Sequence, residues 1–368
     1  MASTFVHPCA VAQEKAPLTE KALVGMVGNN SYAKALSCYL RGQGFPIIAL
    51  GAGGEAGRSD LLAAKGSLNG RFAVEDVAAT AESLLAECAT VFLAEHPLDY
   101  GEVAWALAPW LRPGHVVILH NGGFAASVEF SNLIRGHGAF GVKVLEMDSC
   151  FSFAELESDC LRVGAINQWA LFSAENHSEG FLYSSQIRRF FPKAELAQNL
   201  LQRGLSDFVS LLDPLVYVAN MSAIARGAAF DLYGGAFTEK SVLLAEQLQK
   251  EICLIANAYH IDAAPISLML KRSYGCDGTS IKSALNTACA FANSRILTEE
   301  RLANHVGSTY VPLRELACLA NLRTPVIDSV ISIASVLCGS DFLVRGRTLS
   351  KLGFQGMGPK EIVNSVNG

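Results

Sequence analysis

Three side chains in the later half of the chain have the chemistry to hold a small acidic substrate and move protons on it: Asp213, His305 and Arg301. An imidazole titrates near neutral pH, so it can take up a proton and return it, and a neighbouring carboxylate fixes its tautomer and stabilises its charged form. A guanidinium clamps a carboxylate through paired hydrogen bonds, and either Arg301 or Arg295 could do so. The dyad requires only that Asp213 and His305 meet. On the plain alternative Asp213, next to Pro214, caps a helix and His305 sits in a surface loop.

A second group of residues lies near the start. In Gly25-Met26-Val27-Gly28-Asn29-Asn30-Ser31 a glycine-bearing turn links an apolar strand to a helix, an arrangement that lets backbone amides and a positive helix end approach a pyrophosphate. The same run also reads as an ordinary strand–helix turn. At the end of the next strand, Ala49-Leu50-Gly51-Ala52 offers no carboxylate for ribose hydroxyls before Glu55, whereas Arg58 and Ser59 could hold a 2′-phosphate. A bound dinucleotide is therefore expected to be NADPH rather than NADH, with a scaffold that binds no nucleotide as the alternative. His96 and His120 each follow a strand, where ligands gather in such folds, and His96 and Asn121 join Gly28, Asn29, Asn30, Ser31, Arg58 and Ser59 as cofactor candidates. His7, His137, His177 and His260 are expected at the surface, and Tyr274 in the core or the substrate pocket.

The elements that must position these groups follow from periodicity. Residues 23–27 and 45–50 read as strands flanking a helix over 32–41, with Ala33, Leu36, Cys38 and Leu40 on its packing face. This is a βαβ unit, and its crossover favours a parallel sheet. Strands over 90–94, 115–119 and 142–146 and helices over 100–110 and 129–135 continue the pattern. From about residue 194 the period becomes helical, as in 239–258 and 326–337. The fold class is thus α/β: a tail over 1–20, an open parallel-sheet domain over 21–190 and a helical domain over 191–368.

Composition narrows the partners. A chain of 368 residues that is 51% hydrophobic and 17% charged can bury a large core. Its net charge of −5 and the absence of any basic run argue against nucleic acid. Mean hydropathy is +0.29, yet the apolar stretches are expected to fall short of a membrane span. Ten scattered cysteines without Cys-x-x-Cys spacing suggest reduced thiols and a cytoplasmic protein, with no metal site. The expected partner is a small molecule, and the apolar helical half suggests a homodimer.

The runs Asp213-Pro214-Leu215-Val216-Tyr217-Val218-Ala219-Asn220 and His305-Val306-Gly307-Ser308-Thr309-Tyr310-Val311-Pro312 resemble the catalytic segments of the octopine/nopaline (opine) dehydrogenase family. There the first segment carries the histidine and the second the acid; here the two have changed places. Ser273-Tyr274-Gly275, Phe237-Thr238-Glu239-Lys240-Ser241-Val242 and above all 323–328 and 346–353 extend the likeness. The family turn Gly-x-Gly-Asn-x-Gly is matched only at Gly28 and Asn29, with Met26 and Ser31 in place of glycines, and His120-Asn121-Gly122-Gly123 replaces Asn-Pro-Gly. The resemblance implies a Rossmann-type domain joined to an all-helical one, with an active site between them that reductively condenses an amine with a 2-oxo acid. In that setting His305 is the general acid, Asp213 orients it and Arg301 holds a carboxylate. A cyclase or isomerase using the same pair, or a silent binding protein, are the alternatives.

Overall fold

The computed structural model describes residues 22–51, 61–73, 77–227, 237–287 and 297–367. The expected tail, Arg58, Ser59 and Arg295 lie outside these residues.

Strand β1 (Val24–Val27) is buried at every position, as a central parallel strand covered on both faces must be. Helix α1 (Ser31–Gly42) starts at Asn30, whose Oδ1 accepts the amides of Tyr32 and Ala33 at 3.0 Å each. Ala33, Leu36, Cys38 and Leu40 are buried beneath it, as expected. Then follow β2 (Ile47–Leu50), β3 (Leu61–Gly66), β4 (Gly70–Ala73), β5 (Val77–Ala78), α2 (Ala81–Glu87), β6 (Thr90–Leu93), α3 (Tyr100–Leu107), β7 (Val116–His120), α4 (Ala126–Gly136) and β8 (Lys143–Met147). Next come β9 (Ala154–Glu157), β10 (Cys160–Val163), β11 (Ala170–Ala174), α5 (His177–Leu182), α6 (Ser184–Phe190) and β12 (Ala194–Leu196).

Eight strands form one sheet in the order β12-β11-β8-β7-β6-β1-β2-β5. All neighbours pair in parallel except β8 with β11. From β5 to β8 this is the doubly wound order of nucleotide-binding sheets, and the order reverses between β1 and β6, at whose carboxyl ends ligands bind. A second sheet, β4-β3-β10-β9, packs on α1. The sequence reading missed it, and it also ended the first domain too early for the sheet. Residues 194–196 are an edge strand, not the start of helix, and pair in parallel with β11.

The helical part comprises α7 (Leu200–Leu205), α8 (Phe208–Ala225), α9 (Glu239–Ala258), α10 (Ile266–Tyr274), α11 (Ile281–Thr287), α12 (Glu299–His305), a π-helical turn (Val306–Tyr310), α13 (Val311–Leu319), α14 (Pro325–Leu337), α15 (Phe342–Arg345) and α16 (Pro359–Asn367). The span Leu200–Ala225 is long and apolar enough to cross a membrane, contrary to the expectation of short apolar runs. Its most apolar window is 56% buried, it carries Arg203, Asp207 and Asp213, and α8 packs on α9, α12 and α14, which is the behaviour of a core helix pair. Arg203 is fully buried and ties the two halves together, with Nε 2.9 Å from Glu146 of β8, Nη1 3.3 Å from Asp148, and Asp207 beside it.

Candidate active site

Asp213 is not a helix cap. Asp207 caps α8, accepting the Ser210 amide at 3.2 Å, and Asp213 lies within the helix at 1% exposure. Nor is His305 in a loop: it ends α12 and is 5% exposed. Arg301 and His305 stand four residues apart on α12, hence on one helical face, and that face meets α8 at Asp213. The Arg301 Nε donates to Asp213 Oδ2 at 2.6 Å, and His305 Nε2 stands 3.6 Å from the same oxygen. The sequence-derived trio therefore comes together, but the acid's direct partner is the arginine. The imidazole lies just beyond hydrogen-bond reach.

This geometry changes the character of His305. Burial first, and then the adjacent Arg301 charge, push its pKa down to about 3, so the resting ring is neutral. Its use as a resting general acid at neutral pH, expected from sequence, is opposed by that burial. Arg301 also reaches across to the first domain. Its Nη1 donates to the hydroxyl of Tyr32, its guanidinium lies 5.3 Å from that ring's centre, and Nη2 is buried without a partner among the described residues. With two of its nitrogens engaged, Arg301 cannot offer a free two-pronged clamp. Tyr32 was not foreseen, although its place directly after the glycine turn put it within reach.

The glycine turn packs tightly against the end of β6. Gly28 has φ +135°, and a Cβ there would stand 2.8 Å from the Ala94 carbonyl oxygen, so the position requires glycine. Asn30 fastens the same junction, Nδ2 donating to Ala94 O at 2.6 Å. Met26, in place of the family's first glycine, is buried in the core at 1% exposure. Ser31 opens α1 and lines the cleft. The Asn29 amide is already taken, donating to Glu95 Oε1 at 3.0 Å. Glu95 is a second residue that sequence reading passed over, although it directly precedes His96 at the end of a strand.

Asn30 and Ser31 of the turn and Arg301 and His305 of the trio line a common cleft of about 930 Å³, whose walls also include Tyr32, His96, His120 and Asn121; Asp213 lies behind Arg301 and does not line it. His96 Nε2 spans it to Glu300 Oε1 at 3.0 Å. His120 is 1% exposed; its Nε2 accepts the Cys150 amide at 3.0 Å, and burial lowers its pKa to about 4. A further crevice of about 820 Å³ opens beside Gly28, Asn29, Leu50 and Gly51, and the charged side chains among its described lining residues are the acids Glu95, Asp99 and Glu102. Tyr274 belongs to the core, edge-on to Phe208 at 5.8 Å. His137, His177 and His260 are exposed, and His7 lies outside the described residues.

Residues 196–338 match the model of the NAD/NADP octopine/nopaline dehydrogenase alpha-helical domain. The match spans most of the helical half of the chain. An opine dehydrogenase of Arthrobacter sp. (strain 1C) is 27% identical over 273 residues, 73% of this chain and 76% of that protein. In fold, octopine dehydrogenase in complex with NADH and agmatine superposes with a TM-score of 0.70 at 13% identity, over 94% of this chain and 98% of that one. Yersinopine dehydrogenase with NADP+ bound follows at 0.62 and 12% identity, over 94% and 99%. The family's fold, a parallel-sheet Rossmann-type domain followed by a helical one, is the architecture found here.

Proposed function

We propose that the protein is an opine-dehydrogenase-like oxidoreductase that reduces the imine of an amine and a 2-oxo acid with a nicotinamide dinucleotide, preferring NADPH to NADH. The observation that carries this reading is Arg301, which joins Tyr32 beside the glycine turn to Asp213 and lines one cleft with His305 and with Asn30 and Ser31 of that turn. The cofactor fit is good in shape. Gly28 permits close approach, the amides of Asn30 and Ser31 at the positive end of α1 would hold the pyrophosphate, and the crevice beside Leu50 and Gly51 has room for the adenosine end. When bound, the dinucleotide supplies the hydride. Preference for NADPH rests on Arg58 and Ser59.

The chain's own residues would handle the protons. With Nε2 turned to Asp213, the neutral His305 keeps Nδ1 for the proton of the incoming ammonium, which frees the amine to attack the carbonyl carbon. Asp213 stabilises the resulting imidazolium from behind. Within the adduct a second proton passes from nitrogen to oxygen, the proton on His305 then adds to the resulting hydroxyl, and water departs to leave the protonated imine. Arg301 Nη2 is the group left for one substrate carboxylate oxygen. In this scheme His305 serves as base before it serves as acid.

The test is titration with NADPH and NADH, followed by nicotinamide oxidation with pyruvate paired with arginine or agmatine, molecules that octopine dehydrogenase holds in related structures. Saturable NADPH binding with pair-dependent oxidation is the expected result, and no binding at millimolar nucleotide would end the redox reading. One observation favours a second reading, a cyclase, isomerase or silent binder: Glu95 occupies an amide that a pyrophosphate would use. Exposed Leu243, Leu244, Val336 and Val344 on the helical half support a homodimer, which light scattering would check.

A further inference from the structure

Condensation of an amine with a carbonyl moves two protons, and His305 accounts for one of them. Once its ring carries the ammonium proton and faces Asp213, it has no lone pair left for the proton that must pass from nitrogen to oxygen within the adduct. Direct passage would go through a strained four-membered ring. A second acid–base group at the cleft, or a water, has to carry it.

A second imidazole–carboxylate pair stands on the same cleft. His96 lies just beyond β6, at the carboxyl end of the sheet. Its Nε2 donates to Glu300 Oε1 on α12 at 3.0 Å, which fixes the tautomer and makes Nδ1 the proton-accepting nitrogen. Its side chain is 31% exposed and lines the cleft, against 6% for His305. Two neighbouring rows of α12 bring the rings together, Glu300 with Asn304 and Arg301 with His305, each pair four residues apart. Asn304 Oδ1 accepts the Leu98 amide at 3.3 Å and Nδ2 donates to the Glu300 carbonyl at 2.9 Å, so the turn that carries His96 is pinned beside its carboxylate. The rings are near enough that, after burial and Arg301, the charge of His96 also lowers the His305 pKa. An ion pair this exposed adds little to stability; what it supplies is an imidazole free to charge while His305 stays buried.

We propose that His96 is a second catalytic residue, a role that rests on the imine-forming reading above: its Nδ1 takes a proton from the nitrogen of the adduct and delivers it to the alkoxide oxygen. The adduct, protonated on nitrogen and anionic on oxygen, becomes the neutral carbinolamine, and the His96 ring ends as it began. Glu300 positions the ring and stabilises its charged form in between. His305 then returns its own proton to the new hydroxyl as water leaves.

The experiment follows NADPH oxidation by the whole protein with pyruvate and arginine or agmatine, and separately with a preformed imine, 1-pyrroline-2-carboxylate, whose reduction skips the condensation. His96→Ala should lower kcat for the condensation by about 100-fold or more, the range that general acid–base groups supply, and leave reduction of the preformed imine within about threefold. Imidazole added to the buffer should restore roughly tenfold of the lost condensation rate, because the ring's place is open to the cleft and the missing group is the proton carrier. Glu300→Gln should cost roughly tenfold in the same kcat with KM unchanged, the mark of a residue that acts through the ring. Full condensation in His96→Ala, an equal loss in both reactions, or no rescue by imidazole would each overturn the role of His96 and leave the redox reading standing. A parent protein that binds no NADPH would instead remove the redox reading, and this role with it.

Discussion

Replacing Asp213 by leucine should destabilise the fold by about 3–5 kcal/mol, the usual cost of removing one partner from a buried ion pair. Asp213 is 1% and Arg301 9% exposed, and their contact is 2.6 Å. At an effective dielectric of about 20 that separation corresponds to roughly 6 kcal/mol of attraction, which offsets the desolvation of both groups. With the carboxylate gone, the guanidinium keeps its desolvation cost and, among the described residues, retains the Tyr32 hydroxyl as its polar partner. Arg301→Met should be similarly costly, because it takes the charged partner from a buried carboxylate. The double variant Asp213→Leu/Arg301→Met should be more stable than either single one, a coupling of about 3 kcal/mol in a thermodynamic cycle. Guanidinium unfolding followed by circular dichroism measures all four proteins. Single-variant losses below about 1 kcal/mol, or simple additivity, would show that the pair is solvent-screened and would remove the basis for Arg301 as a fixed charge.

Stability should peak near pH 6.5. Burial lowers His120 to about 4 and His305 to about 3, while burial, opposed by Arg203, raises Asp148 to about 8. Between about 4 and 6.5 the folded chain binds two fewer protons on the histidines and one more on Asp148 than the unfolded chain, so stability rises with pH by about 1.4 kcal/mol per unit. From 6.5 to 8 only the Asp148 proton differs, and stability falls by about the same amount per unit; denaturation across pH should lose this alkaline limb in Asp148→Asn, and a limb that survives would contradict the assignment. Glu95→Gln should tighten NADPH roughly tenfold by removing a carboxylate from the amide that a pyrophosphate needs. Unchanged or weaker binding in fluorescence titration would mean that the nucleotide phosphates lie elsewhere.

Much of the fold could be read from fully apolar four-residue runs such as Val24–Val27 and 116–119, since strands covered on both faces leave that mark. The second sheet left none. Leu61–Gly66 mixes alanine, lysine and glycine, and its charges are balanced by residues far along the chain, as in Lys65 with Glu157 at 2.8 Å. Ala194–Leu196 is too short to show a period and becomes a strand only because β11 offers an edge. In the site, the four-residue spacing of Arg301 and His305 and the resemblance of both segments brought the trio within reach of sequence reading. The neutral state of His305 was not legible, because it depends on how deeply the ring is buried and on a guanidinium beside it. Tyr32 and Glu95 meet their partners only once β1, β6 and α12 have been assembled around one cleft.

The Arg347 guanidinium binds carbonyls from the β7–α4 loop and from the π-helical turn at once, at 2% exposure. The lobes are thus riveted where water cannot compete, while the His96–Glu300 clasp, with its glutamate 68% exposed, is cheap to undo. Parting of the lobes along the cleft would give up this clasp before the buried contacts of Arg347.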